Sequence, residues 1–155
     1  MSFLYSKSSE YIIRALVYLS NFDKEEYIMI KSISEHTNIP HPFLSKIFQK
    51  LAAKKWIISK KGKRGGVKLI ADSSKLTLMD IIEWSDGVKD FSQCIFGDRE
   101  CGDIIPKHDN SVWYPEKQSN CILYDKCNRF KAAIIDFFSN TTISEFKEHN
   151  SLFRQ

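Results

Sequence analysis

Apolar residues in the first quarter of the chain recur at helical spacing. Tyr11, Ile12, Ala15, Leu16 and Leu19 fall on one stripe, which predicts a core helix from Ser9 to Phe22. The run from Tyr27 to Ile30 is aromatic and β-branched and predicts a short strand. A short helix around Ile33, from Lys31 to Asn38, is expected to follow it.

A third helix is predicted to begin after the break Ile39-Pro40-His41-Pro42. Pro42 suits its first turn, because the missing N–H would have no intrahelical partner there. Its predicted buried stripe consists of Phe43, Leu44, Ile47, Phe48, Leu51 and Ala52. Its opposite face is polar and basic and carries Ser45, Lys46, Gln49, Lys50 and Lys54. Two helices joined by a short turn, with one basic face on the second, indicate a helix-turn-helix.

The segment KKGKRGGVKL, from Lys60 to Leu69, contains five cations and three glycines between two short apolar runs. Ile57 to Ser59 and Val67 to Ile70 are predicted to pair as strands around it. Glycines at 62, 65 and 66 allow a turn with positive φ and a close approach of the backbone to another surface. A cationic hairpin directly after a basic helix is typical of a wing that contacts phosphates, although a solvated turn is the simpler alternative.

The second half predicts a helix from Leu76 to Gly87, followed by a long segment without periodicity from Val88 to Asn120. Such a long irregular segment is usually functional or disordered. A further helix ending near Asn140 is predicted from the apolar stripe Cys127, Phe130, Ile134, Phe137 and Phe138. Thr141 or Thr142 can cap a last short helix through Phe146. The fold class expected is therefore mainly α with a small β-hairpin wing.

Charge is distributed unevenly along the chain. The 155 residues have a net charge of +4, but the segment from His41 to Asp72 holds nine cations and one anion, a net charge of +8. The remaining residues hold 14 cations and 18 anions, a net charge of −4. This asymmetry favours a polyanion as the partner of one face, with a merely solvated basic face as the alternative.

Composition narrows the class of protein. Apolar residues make up 43% and charged residues 27%, as in an ordinary soluble globular protein. No signal peptide and no run of roughly 18 apolar residues is visible, so we expect a cytoplasmic protein without a membrane span. Neither a nucleophile with its base nor a cofactor fingerprint is visible, and we expect no enzymatic activity.

Four cysteines have the spacing C-x6-C-x19-C-x5-C, at Cys94, Cys101, Cys121 and Cys127. The close C-x2-C pairs that are usual in structural zinc sites are missing. Thiolates in an irregular, glycine-containing segment can hold an iron-sulfur cluster, but buried or redox-active thiols fit the spacing as well. Cys127 lies on an apolar stripe, so the simpler interpretation is a core residue. The scattered histidines are interpreted as surface residues.

Four segments resemble the winged-helix repressors typified by the iron-sulfur cluster regulator and the nitric-oxide-sensitive repressor. They are SEYIIRALVYL, ISEHTNIPHPFLSKIFQKLAAKKWI, KGKRGGVKL and LTLMDIIEWSDG, and they occur in the family's order over nearly the whole chain. The most specific element is the glycine-rich basic wing, followed by a helix ending in I-x-x-x-D-G and a cysteine-containing loop.

The resemblance implies a homodimer that reads a palindromic duplex with paired winged helices. A long C-terminal helix would cross its partner along Phe130, Ile134 and Phe138. On the recognition helix the implied DNA-binding residues are Ser45, Lys46, Gln49 and Lys50. In the wing they are Lys60, Lys61, Lys63 and Arg64. Residues 1–75 would then form the DNA-binding domain, and residues 76–155 the sensor loop and dimerisation region.

The resemblance also implies an iron-sulfur cluster of unknown type, with Cys94, Cys101 and Cys121 in the places of the family's ligands. Some members use a histidine three residues after the third cysteine, where this chain has Tyr124. Others use an acidic residue from the partner's first helix, and Glu10 stands at that place. The stretch from Gly102 to Asn120 is longer than the family's spacer and carries Trp113 and Tyr114, which leaves the ligand set open.

These observations lead to the hypothesis of a dimeric transcriptional regulator whose DNA affinity is switched by a cluster. Two alternatives remain open at this point. The first keeps the DNA-binding fold but makes the loop a cluster-free thiol or ligand sensor. The second uses the winged helix only for protein contacts.

Overall fold

Five α-helices and two small hairpins make up the computed structural model, which describes residues 5–62, 65–87, 105–106, 112–113 and 122–147. For residues 105–106 and 112–113 the description is limited to the main chain. The helices are α1 (Lys7–Ser20), α2 (Ile30–Thr37), α3 (His41–Ala53), α4 (Leu78–Asp86) and α5 (Tyr124–Asn140). The strands are β1 (Ile57–Lys60), β2 (Gly66–Leu69), β3 (Ile105–Pro106) and β4 (Val112–Trp113), and a 3₁₀ helix spans Ile143–Phe146.

Helix α1 is the central element of the core. Ala15, Leu16 and Val17 are fully buried, and the helix contacts α2, α3, α4, β2 and the 3₁₀ helix. Its first turn is capped by the hydroxyl of Ser6, which accepts a hydrogen bond from the N–H of Ser9 at 3.2 Å. The backbone N–H of Ser6 donates to the Asp86 carboxylate at 2.7 Å, which ties the start of α1 to the end of α4.

Helices α2 and α3 form the predicted helix-turn-helix. Asn38 ends α2 in the left-handed conformation, with φ 51°, and Pro42 lies in the first turn of α3 as expected. The buried face of α3 is Leu44, Ile47, Phe48 and Leu51. Phe43 was also placed on this face and is exposed instead, because it lies at the start of the helix beside Tyr11, with ring centroids 6.0 Å apart.

Strands β1 and β2 form the wing and pair antiparallel, from Ile57 opposite Leu69 to Lys60 opposite Gly66. The strand predicted for Tyr27 to Ile30 is reduced to one bridge, in which Ile28 and Val67 exchange two backbone hydrogen bonds of 2.9 Å. The strand cannot extend further because α2 already begins at Ile30. Gly66 is required at this bridge, since a Cβ there would overlap the carbonyl of Ile28.

Helices α4 and α5 and the 3₁₀ helix complete the core. Thr77 and Asp80 form a capping box at the start of α4, and Thr142 and Glu145 form another at the 3₁₀ helix. Ile135 and Phe138 of α5 and Ile143 join the core cluster.

Helix α5 departs from the stripe predicted for it. Cys127 and Phe138 are buried as expected, but Phe130 and Phe137 are 49% and 56% exposed, and Ile134 is half-buried. The buried face also includes Ile135, so the helix has two apolar stripes, one buried and one that remains partly exposed. Phe138 therefore belongs to the core and cannot line a dimer seam.

The expected fold class is confirmed: the structure is mainly α with a β-hairpin wing following a helix-turn-helix. In the part of the chain that the structure describes, no helix is both long and apolar enough to span a bilayer.

Candidate nucleic-acid interface

The outer face of α3 presents a continuous polar and basic surface. Lys46, Gln49 and Lys50 are exposed and are spaced three and four residues apart, so they lie on one side of the helix. Ser45 is half-buried beside them. Helix α3 contains no acidic residue, and Leu44, Ile47 and Leu51 fix its opposite face in the core. This arrangement leaves a rigid helix face free to enter a groove of a duplex.

The wing follows α3 after only three residues, which keeps the two basic surfaces next to each other. Lys55 takes the left-handed conformation, with φ 62°, and its N–H donates to the carbonyl of Ala52. The N–H of Trp56 donates to the carbonyl of Leu51, which completes the helix end. The ammonium of Lys54 lies 5.8 Å from the Trp56 ring centroid, so this junction adds further positive charge between α3 and β1.

The cations of the wing do not all point into solvent. Lys60 and Lys61 are exposed, as expected for phosphate contacts. Lys63 and Arg64 lie outside the described residues. Lys68 turns the other way: its ammonium is 2.9 Å from the Glu25 carboxylate and its side chain is only 12% exposed. The hydrogen bond with Glu25 raises the pKa of Lys68 above its usual value, so this cation is held in an intramolecular pair.

Tyr27 contacts two lysines of the wing and was missed by sequence reasoning. The ammonium groups of Lys60 and Lys68 lie 5.6 Å and 5.2 Å from its ring centroid. Together with the Ile28–Val67 bridge, this ring attaches the base of the wing to the segment before α2. The only signal in the sequence was an aromatic residue in the short run before Ile30.

Arg14 connects α1 with the turn of the helix-turn-helix and was also missed. Its guanidinium donates to the backbone carbonyl of Thr37, at the last residue of α2. The same group donates to the Glu10 carboxylate at 3.2 Å. Arg14 therefore contacts both Glu10 on α1 and the end of α2.

Glu10, the predicted ligand from a partner subunit, is engaged within its own chain. Its carboxylate is 2.8 Å from the ammonium of Lys7 and 3.2 Å from Arg14. The hydrogen bond from Lys7 lowers the pKa of Glu10 below its usual value and outweighs the opposing effect of burial. The carboxylate is thus ionised at neutral pH.

The remaining predicted ligands cannot be placed. Cys94, Cys101 and Cys121 lie outside the described residues. Within residues 5–62, 65–87 and 122–147, no three His, Cys, Asp or Glu side chains come close enough together to hold a metal ion. Cys127 is buried on α5 as a free thiol, in agreement with its prediction as a core residue.

A winged helix with a basic recognition face fits many regulators, and comparison with known proteins decides between them. The model of the family described as Rrf2, iron-dependent transcriptional regulator, matches residues 5–149. The chain belongs to the Rrf2 family of transcriptional regulators. The resemblance drawn from the wing and the helix ends is thereby confirmed.

Relatives from this family match nearly the whole chain. A predicted helix-turn-helix-type transcriptional regulator of Aquifex aeolicus is 30% identical over 142 residues, covering 92% of this chain and 90% of the relative. The transcriptional regulator IscR of Vibrio campbellii is 21% identical over 147 residues, covering 95% and 79% of the two chains.

Among solved structures, CymR, the global cysteine regulator of B. subtilis, has the same fold. It superimposes with a TM-score of 0.66 at 19% identity and covers 93% of this chain and 95% of its own. The chain therefore shares the fold of CymR.

Proposed function

We propose that this Rrf2-family protein binds double-stranded operator DNA with α3 in a groove and the wing on the adjacent backbone. The observation that carries this proposal is the exposed, acid-free face of Lys46, Gln49 and Lys50, continued by Lys60 and Lys61. Lys63 and Arg64 would extend the wing contact. The lysines would displace counterions from phosphates, while Ser45 and Gln49 offer hydrogen bonds to base edges. The protein would act in the cytoplasm, where it meets the duplex.

We further propose a homodimer. Phe130, Ile134 and Phe137 follow one another at helical spacing along α5 and remain wholly or partly exposed, which supports a seam between two copies of this helix. Phe137 takes the place that was first assigned to Phe138. A two-fold dimer would present two α3 helices to a palindromic site. Residues 1–75 would then bind DNA, while residues 76–155 would sense and dimerise.

The DNA affinity of this dimer would be set by an iron-sulfur cluster held by Cys94, Cys101 and Cys121, with Glu10 of the partner as a fourth ligand. Three thiolates and one carboxylate suit iron, and the ionised state of Glu10 fits a ligand role. A bound cluster would supply a centre that is sensitive to redox state or nitric oxide.

The coupling to DNA would use this chain's own residues. Arg14 holds both Glu10 and the carbonyl of Thr37, so a change of partner at Glu10 alters what holds the turn before α3. This link supports a switch in which the orientation of the recognition helix depends on Glu10.

Anaerobic purification tests the cluster directly. The expected result is a coloured protein with iron and acid-labile sulfide, both of which are lost when Cys94, Cys101 and Cys121 are replaced by serine. A matched Cys127→Ala variant should keep iron and colour, since that thiol is buried in α5. A colourless, iron-free protein from anaerobic cells would contradict the proposal.

A cluster-free thiol or ligand sensor is the second candidate. The likeness to CymR, a global cysteine regulator, favours it. In that case operator binding would respond to oxidants or to a small molecule in the iron-free protein. A winged helix used only for protein contacts is the third reading, and it would show no salt-sensitive DNA binding at all.

A further inference from the structure

Helix α5 buries two distinct surfaces. Its C-terminal half places Ile135 and Phe138 in the main core. Its N-terminal half also buries side chains, among them Tyr124, Cys127 and Ala132, but these are not part of that core cluster. The helix packs against α4 and against β4. The N-terminal half thus forms a second interior surface, just after the segment that carries the other three cysteines.

Two polar atoms on this second surface have no hydrogen-bond partner among the residues that the structure describes. Asn128 and Lys131 are each only 4% exposed. The two atoms are the amide oxygen of Asn128 and the ammonium of Lys131, and within residues 5–62, 65–87 and 122–147 no group forms a hydrogen bond with either. The two residues are three apart on α5, so their side chains start on the same face, about 5–6 Å from each other.

Burying these two polar groups lowers the stability of the fold unless another group forms hydrogen bonds with them. A buried ammonium without an anion loses its hydration and gains nothing in return, and an unpaired amide oxygen adds a smaller cost of the same kind. The same surface accepts an apolar residue at Ala132, so a lysine is not required for packing. Lys126, five residues earlier on α5, is exposed, so the same helix also carries a lysine that remains in solvent.

We infer that Asn128 and Lys131 form a binding site for a small carboxylate that also carries a hydrogen-bond donor, such as a hydroxy or amino acid. The ammonium of Lys131 would donate to the carboxylate, and the amide oxygen of Asn128 would accept from the N–H or O–H group. This inference goes beyond the proposed function, because the site needs neither the cluster nor DNA.

The site lies beside the proposed dimer seam, so a bound ligand would affect dimerisation. Phe130 and Ile134 of the proposed dimer seam lie on the same turns of α5 as Lys131. A ligand that stabilises these turns would stabilise the surface that meets the second copy. In a regulator, such a molecule would act as an effector of dimerisation and therefore of DNA binding.

Thermal unfolding of the full-length protein, refolded from denaturant to remove small molecules, tests the inference. The probes are L-lactate and glycine, which carry both a carboxylate and a donor. They are compared with two single-group probes: acetate, which has the carboxylate without a donor, and ethanolamine, which has donors without a carboxylate. We expect lactate or glycine to raise Tm in the wild type more than either single-group probe. That gain should vanish in Lys131→Met, shrink in Asn128→Leu and persist in the control Lys126→Met.

The Tm values of the variants without added ligand give a second, independent test. Lys131→Met should raise Tm by several degrees because it removes a buried unpaired charge, while Lys126→Met should leave Tm unchanged. A lower Tm for Lys131→Met would overturn the inference, since the ammonium would then have a carboxylate within the protein. Conversion of Lys131→Met to a monomer in sedimentation would assign the anion to the second copy and equally overturn it. Equal Tm responses of wild type and Lys131→Met to lactate and glycine would exclude the site.

Discussion

Single residues at the ends of helices set the directions of α3 and the wing, the elements proposed to bind DNA. Within the residues the structure describes, only Asn38 and Lys55 have positive φ without being glycine. The first turns the chain from α2 into α3, and the second turns it from α3 into the wing. Asparagine tolerates this conformation, whereas lysine adopts it at a cost of about 1–2 kcal/mol. Lys55 therefore stores local strain at the junction of the two basic surfaces.

Replacing Lys55 with glycine should relieve that strain. We expect Lys55→Gly to raise the free energy of unfolding by about 0.5–1 kcal/mol, measured by urea denaturation. Lys54→Gly is the matched control. Lys54 has the ordinary helical φ of −74°, so glycine there should lower stability by about as much. Equal effects of the two substitutions would contradict the assignment of strain to Lys55.

Asp86 provides a pH-dependent link between α1 and α4. Burial raises its pKa, but hydrogen bonds from the hydroxyl and the N–H of Ser6 outweigh burial and lower the pKa overall. A carboxyl with a lowered pKa stabilises the fold above its unfolded pKa, about 3.9, and loses this contribution as the pH falls through the folded value. Asp86→Asn should therefore cost about 1 kcal/mol at neutral pH and progressively less in acid. A cost independent of pH would contradict this role.

At the scale of elements, α3 and the wing act as one unit because the segment before α2 holds the base of the wing. The contacts are the Ile28–Val67 bridge, the Glu25–Lys68 pair and the two ammonium groups against Tyr27. Each joins positions more than thirty residues apart in the sequence. They orient Lys60 relative to the face of α3.

Tyr27 tests this orientation. Tyr27→Leu should weaken operator binding by about 0.5–1 kcal/mol, or two- to fivefold, because the lysines lose the ring that positions them. Tyr27→Phe keeps the ring and should bind DNA like the wild type. Affinity is measured by fluorescence anisotropy on a labelled operator, with Tm as a check on folding. If leucine and phenylalanine gave the same affinity, the ring would have no positioning role.

The same long-range contacts explain where the sequence was insufficient. Periodicity and the proline break located α3 and its basic face, because both depend on neighbouring residues. The sequence counted Lys68 among the wing cations, but Glu25 pairs with it from a distant segment. On α5 the sequence pattern predicted one apolar stripe, whereas the structure has a buried and a partly exposed one. Local spacing cannot distinguish a stripe that faces the core from one left for another molecule.

At the scale of the whole molecule, two adjacent phenylalanines on α5 allow the stability of the fold and the proposed dimer to be tested separately. Phe138 is 4% exposed and lies in the core, whereas Phe137 is 56% exposed. Phe138→Ala should cost about 3–5 kcal/mol of folding stability. Phe137→Ala should leave the monomer fold intact but weaken the dimer, as sedimentation equilibrium would report. Loss of folding in both variants, or a stable dimer in Phe137→Ala, would argue against the seam.

The central claim is that α3 and the wing bind the phosphates of a duplex. Its most direct test is the salt dependence of operator affinity in the wild type, in Lys46→Ala/Lys50→Ala and in the exposed-lysine control Lys126→Ala. Each lost phosphate contact should reduce the slope of log K against log salt by about 0.9. The account predicts a shallower slope for the double variant and an unchanged slope for Lys126→Ala. Equal slopes in all three proteins would contradict it.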